Sequence, residues 1–156
     1  MLDSPRAAVR DFKPLAHRLE VVAERDGVTF VDDSKATNPG SVIAALRSFD
    51  RPIVLIAGGK PKGTEFADLG RVASSRTKAV VLIGEAADAI AKTIKRAAVH
   101  RAGSMDEAVA IAASIAVPGD VVLLSPGCAS FDMFASAEAR GDAFARAATA
   151  GAVARG

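Results

Sequence analysis

The chain has one cysteine, two histidines, no tryptophan and no tyrosine, and each shortage closes off a class of function. A single thiol, Cys128, cannot form an internal disulfide, which points to a reducing, cytoplasmic setting. The histidines, His17 and His100, have no Cys or His partner at ligand spacing, so no metal site is expected within this chain. No tyrosine or tryptophan platform carries the function. The longest apolar runs, such as Ala79 to Ile83 and Val121 to Leu124, fall far short of the roughly 20 residues that span a bilayer. The amino-terminal MLDSPRAAVRDF also lacks the apolar centre of a secretory signal, so no membrane association is expected. The net charge of +2 is dispersed, without a Lys/Arg block or aromatics among basic residues, which argues against a nucleic-acid partner.

What remains is an apolar half built mainly from Ala, Val, Leu and Ile, in a chain of 156 residues, enough for one domain with its own core. Residues 1–16 carry charge and two prolines without a sustained period, and read as a linker or frayed terminal segment. The domain is expected over 17–148, with a disordered tail over 149–156. Leu19 to Ala23 and Val28 to Val31 flank Asp26-Gly27, a dipeptide suited to a tight hairpin turn, so an antiparallel pair is expected first. Apolar runs then alternate with helical patterns. Strands are expected at Ile53 to Ala57, Ala79 to Ile83, Ala98 to Arg101 and Val121 to Leu124. Helices are expected at Ser41 to Phe49, Phe66 to Ser74, Ala86 to Lys95, Met105 to Ala116 and Phe131 to Ala148. Continuously apolar strands are buried on both faces, which predicts a Rossmann-like, doubly wound α/β fold. Its sheet is mostly parallel, of about six strands, with an antiparallel hairpin at its start.

Ligands of such sheets bind beyond the carboxyl ends of the strands, so the loops after Val31, Ala57 and Leu124 are the places to look for chemistry. The first, Asp32-Asp33-Ser34-Lys35-Ala36-Thr37-Asn38, runs into Pro39. Asn38 suits an N-cap and Pro39 a first helical position, so the helix start presents unpaired N–H groups beside the Lys35 charge and the Thr37 hydroxyl. Asp33 can accept from a ribose or order a metal-bound water. An ordinary polar strand-to-helix connection is the alternative. The second loop, Gly58-Gly59-Lys60-Pro61-Lys62-Gly63-Thr64, allows close backbone approach and offers two lysines to a carboxylate or phosphate; a flexible surface loop is the alternative. It is not a Walker A loop, because Thr64 stands where the lysine belongs. The third runs from Ser125-Pro126-Gly127-Cys128-Ala129-Ser130 to Phe131-Asp132-Met133-Phe134. Ser130 falls at the expected N-cap of the last helix, where its hydroxyl and the Phe131 N–H together suit one carboxylate. With no G-x-S-x-G and no histidine at base spacing, Cys128 reads as a packed thiol rather than a nucleophile.

Taken together, Asp32-Asp33-Ser34-Lys35-Ala36-Thr37-Asn38, the Gly58-Gly59 loop with Lys62, and Leu124 to Phe134 resemble the C-terminal domain of the Mur ligases. The branch they resemble is the one that joins D-glutamate to UDP-N-acetylmuramoyl-L-alanine in peptidoglycan synthesis. His17-Arg18-Leu19-Glu20 resembles that family's entry into the domain, and the likeness runs from about Arg10 to Ala148. It implies an ATP-dependent amide-bond-forming ligase, with ATP and Mg2+ held mainly by other domains. The muramoyl-alanine carboxylate is phosphorylated and the acyl phosphate is attacked by the D-glutamate amine. This domain's implied share is D-glutamate binding. Thr37 and Lys62 would hold the side-chain carboxylate, and Ser130 with the Phe131 N–H the α-carboxylate. Arg18 and Asp33 would border ATP or ADP, and Lys35 would serve catalysis near the transferred phosphate.

Two departures from the family pattern stand out. An aromatic usual seven positions after the matching serine is Ala137 here, and no G-x-x-x-x-G-K-[ST] occurs in the chain. The isolated chain is therefore expected to be inactive. A stand-alone, non-catalytic carboxylate- or nucleotide-binding module of the same fold is the alternative. A nicotinamide-dependent Rossmann enzyme would need a glycine fingerprint that is absent.

Overall fold

A computed structural model of the chain describes residues 16–63 and 65–155, so the expected linker lies almost wholly outside the described residues. β1 (Glu20–Arg25) and β2 (Val28–Asp32) form the expected hairpin. Asp26 and Gly27 both adopt positive φ (54° and 79°), the backbone that a two-residue turn needs to match strand twist.

One helix and four βα units follow: α1 (Pro39–Arg47), then β3 (Ile53–Gly58), α2 (Ala67–Arg76), β4 (Thr77–Ile83), α3 (Ala87–Ala91), β5 (Ala98–Arg101), α4 (Met105–Ile115), β6 (Val121–Leu124) and α5 (Ala137–Arg155). The six strands lie in the order β1-β2-β6-β3-β4-β5, and every pair except β1-β2 is parallel. The expected α/β class and mixed sheet are therefore present.

Side-chain alternation assigns the two faces. Leu55, Val80, Leu82 and Leu123 pack with Val42, Leu46, Leu69, Val72 and Ile90 from α1, α2 and α3. Val54, Ile56, Val81 and Val122 pack with Met105, Ala108, Val109 and Phe144 from α4 and α5. Each fully buried Leu, Ile, Val or Phe contributes about 1.5–3 kcal/mol relative to exposure, which is why strands apolar on both sides sit between two helical layers. Right-handed crossovers from β2 through β5 step in one direction, and the return from β5 to β6 places α4 on the opposite face. β6 thereby sits between β2 and β3, with α5 leaving it on one face and α1 and α2 leaving its neighbours on the other. That reversal opens a crevice at the carboxyl ends of β2, β6 and β3.

Two helices differ from expectation. α3 ends at Ala91 rather than Lys95, because Lys92 to Ile94 form tighter turns in which the Thr93 amide and hydroxyl both donate to the Ile90 carbonyl. α5 begins at Ala137 rather than Phe131, and its helical course continues past Ala148 to Arg155. The amides of Met133 and Phe134 both donate to the Ser130 carbonyl, closing a separate turn, and Ser136 then caps α5 through the Ala139 amide (3.0 Å). Ser130 is thus not the N-cap of the last helix. No helix among the described residues is long and apolar enough to cross a membrane.

Candidate functional site

The loops after β2, β3 and β6 meet in the crevice, joined mainly by backbone hydrogen bonds. The Asp33 amide donates to the Leu124 carbonyl (2.7 Å), the Ser125 amide to Ile56 (3.1 Å), the Gly58 amide to Pro126 (2.9 Å) and the Gly127 amide to Ala36 (2.8 Å). Lys60 and Ala129 exchange both backbone bonds. The second loop needs its paired glycines. Gly58 and Gly59 have φ of 120° and 138°, and a Cβ on Gly58 would collide with the Ile83 carbonyl.

These links sort the candidate residues into two groups. Thr37 follows Ala36, which is bonded to Gly127; Lys62 lies two residues after Lys60, and Ser130 one after Ala129, which bond each other. Lys62 is also close enough to Cys128 for its charge to act on the thiol. Thr37 is half-buried, Lys62 exposed, Ser130 buried, and the Phe131 side chain 70% exposed, leaving the turn's rim open. With Ser130 outside α5, a carboxylate there meets the 130–134 turn rather than a long helix's N-terminus.

Arg18, Asp33 and Lys35 form the second group. The Lys35 amide donates to the His17 carbonyl (3.1 Å) and the Leu19 amide to Asp33 Oδ1 (3.2 Å), which brings the 17–20 turn against the first loop. Asp33 is buried and accepts from the Ser125 hydroxyl (2.8 Å). Burial raises its carboxyl above the ordinary value, while the Ser125 hydroxyl, the Leu19 amide and the nearby Arg18 charge pull it back. Lys35 Nζ lies 2.7 Å from Glu138 Oε2 on α5, and that contact lowers the Glu138 carboxyl.

A layer beneath these groups has no signature in the spacing of the chain. Asp32 is buried, accepts from the Ser34 amide (2.9 Å) and lies 2.6 Å from His17 Nδ1, while His17 Nε2 lies 3.6 Å from Asp142. A Cβ on Gly141 would run into the His17 ring, so the helix approaches this closely because residue 141 is glycine. Arg140, 1% exposed, donates from Nε to Ser34 Oγ (2.9 Å) and from Nη2 to the Ser34 carbonyl (2.9 Å). Burial pushes its guanidinium down to about 10. Long separations in the chain hid both contacts; an arginine amid an alanine-rich helix was the one available hint.

His17, Glu20 and Asp32 bring three potential metal-ligand atoms within 4.8 Å of one another. Two of them already face each other in the His17–Asp32 contact, and the third accepts the His17 amide (3.0 Å), so the cluster is satisfied as it stands. Beside Lys35 the carboxylate of Glu138 is taken up in an ion pair, and that of Asp33 in hydrogen bonds from Ser125 and Leu19. Cys128 is buried in the core, where desolvation pushes its thiol up to about 11, as a packed rather than nucleophilic cysteine requires.

Residues 17–128 match the family described as "Mur ligase, glutamate ligase domain". Among curated proteins, the chain is 48% identical over 145 residues to the UDP-N-acetylmuramoylalanine--D-glutamate ligase of Pelotomaculum thermopropionicum, covering 91% of this chain and 32% of that protein. It is 50% identical over 150 residues to the enzyme of the same name from a Roseiflexus species, covering 92% and 32%. The chain spans about a third of the length of these relatives. Among solved structures, UDP-N-acetylmuramate-alanine ligase from Thermotoga maritima superposes with a TM-score of 0.68 at 12% identity, over 96% of this chain and 33% of that one. The MurF ligase of the same organism, solved with ADP, gives 0.64 at 19% identity, over 99% and 38%. These two likenesses concern the fold.

Proposed function

Because the chain belongs to the glutamate ligase domain family of the Mur ligases, we propose that it is the D-glutamate-binding part of a cytoplasmic ATP-dependent ligase. That ligase would add D-glutamate to UDP-N-acetylmuramoyl-L-alanine in peptidoglycan synthesis. The observation that carries this reading is the meeting of two polar groups at one sheet edge: Thr37, Lys62 and Ser130, one from each of the three loops, and Asp33 and Lys35 of the first loop with Arg18 of the 17–20 turn. A dicarboxylate needs two separated donor sets. In this reading Thr37 and Lys62 receive the side-chain carboxylate, and Ser130 with the Phe131 amide receives the α-carboxylate, which leaves the amine directed outward. Arg18 and Asp33 border the nucleotide. ATP supplies activation of the acceptor carboxylate, and Lys35 stands where charge on the transferred phosphate would be neutralised. In this reading the ligands of ATP and magnesium come mainly from other domains of the complete enzyme.

The test is steady-state kinetics on the full gene product. Lys62→Ala removes a charge-assisted contact of about 1.5–3 kcal/mol, so KM for D-glutamate should rise about ten- to a hundredfold while KM for ATP stays unchanged. An unaltered KM for D-glutamate takes Lys62 out of the site.

A further inference from the structure

We propose that Arg140 is a positioning residue for the ligation reaction, acting through Ser34 to hold Lys35 in place. This rests on the reading of Lys35 given above. Ser34 is fully buried, and its polar groups are engaged on all sides: the amide donates to Asp32 Oδ1, the hydroxyl donates to the Ala137 carbonyl (2.7 Å) and accepts from Arg140 Nε, and the carbonyl accepts from Arg140 Nη2. A planar guanidinium presents those two donors at a fixed spacing, so the bidentate grip sets the orientation of the peptide that leads into Lys35. Lys35 is then held at its far end by Glu138, two residues before Arg140 on the same helix. The first turn of α5 therefore grips both the backbone and the side chain of the residue that would face the phosphate.

Energetics point the same way. Burying a guanidinium costs free energy, and no carboxylate among the described residues forms an ion pair with Arg140 in return. Its third nitrogen, Nη1, is buried without a hydrogen-bond partner among the described residues. That nitrogen stands beside Gly59 of the second loop, 3.3 Å from where a Cβ would sit. Asp132 Oδ1 of the third loop is likewise buried and unpaired, and the Asp132 charge acts on Arg140. What the buried guanidinium receives in return is its two hydrogen bonds to Ser34, so its contacts are spent on the first loop.

Two measurements test the proposal. In the 156-residue chain, amide hydrogen exchange compares wild type with Arg140→Lys, which keeps the charge but cannot span both acceptors of Ser34. Exchange at Lys35 and Ala36 should quicken about tenfold while β3 amides keep their protection; unchanged exchange at Lys35 and Ala36 overturns the proposal. In the full gene product, Arg140→Lys should lower kcat on the order of tenfold to a hundredfold with KM for D-glutamate held, because a small misplacement of a catalytic group has that effect. The same substitution in a Lys35→Ala background should lower kcat no further. A loss that persists undiminished without Lys35 means that Arg140 is merely structural, and overturns the proposal. If Lys35→Ala itself leaves kcat intact, the functional reading of Lys35 fails and the claim that Arg140 serves the reaction falls with it, while the exchange result still decides whether Arg140 holds the loop. Should Arg140→Lys not fold, Ser34→Ala, which removes the hydroxyl end of the same grip, is read in both measurements by the same criteria.

Discussion

Asp33 shows how one side chain's surroundings set a measurable property. Burial is the largest influence on its carboxyl and raises it above 3.8, outweighing the Ser125 hydroxyl and the Leu19 amide. A carboxyl raised on folding contributes stability in its protonated form. That stability is complete below 3.8 and is lost as pH rises through the higher folded value. Asp33→Asn keeps an acceptor for its neighbours and does not titrate. The stability of the natural chain relative to Asp33→Asn should therefore fall as pH climbs from the acid side of 3.8 towards neutrality, which thermal unfolding of both proteins across that window measures. A difference that grows instead would mean that the hydrogen bonds to the ionised carboxylate outweigh its burial.

Among the elements, the start of α5 is where pattern and packing part company. Phe131 to Phe134 has the composition of a helix opening, yet the chain closes a separate turn there, in which the Ser130 carbonyl takes the Met133 and Phe134 amides and Asp132 accepts the Glu85 amide (2.9 Å). Helix then restarts behind Ser136. The two serines should separate on substitution. Ser136→Ala removes an N-cap and should cost about 1 kcal/mol, with faster exchange of the Ala139 amide. Ser130→Ala should leave exchange at Ala139 unchanged and weaken D-glutamate instead. Urea unfolding and amide exchange check both, and loss of Ala139 protection in Ser130→Ala would join the turn and the helix into one capped element.

At the scale of the whole molecule, the sheet gathers three loops at its edge, none of which carries the sequence of a phosphate-cradling P-loop. The chain contains no G-x-x-x-x-G-K-[ST], and the Glu138 carboxylate beside Lys35 is held in an ion pair. Phosphoryl transfer needs a backbone cradle and a metal ion to neutralise developing charge. The 156-residue chain alone should unfold cooperatively yet release no phosphate above background when supplied with magnesium, ATP, D-glutamate and the UDP-linked acceptor. Turnover that survives repurification and disappears in Lys35→Ala would overturn this.

The local signals in the sequence sufficed for the element order, the Asp26-Gly27 hairpin and the three loops at the sheet edge. Two-sided apolar strands, turn dipeptides and helix caps act over a few residues, and each announces itself along the chain. The Asn38 cap, for example, accepts the Ser41 amide (2.9 Å) as its spacing predicts. Contacts across the fold carry no such local mark. Ser34 and Arg140 are over a hundred residues apart, as are Lys35 and Glu138, and they meet because β6 is inserted between β2 and β3 and sends α5 back beneath the first loop. The same insertion brings the loops of Thr37, Lys62 and Ser130 to one edge, so the candidate residues were written along the chain, and what holds them there was decided by topology.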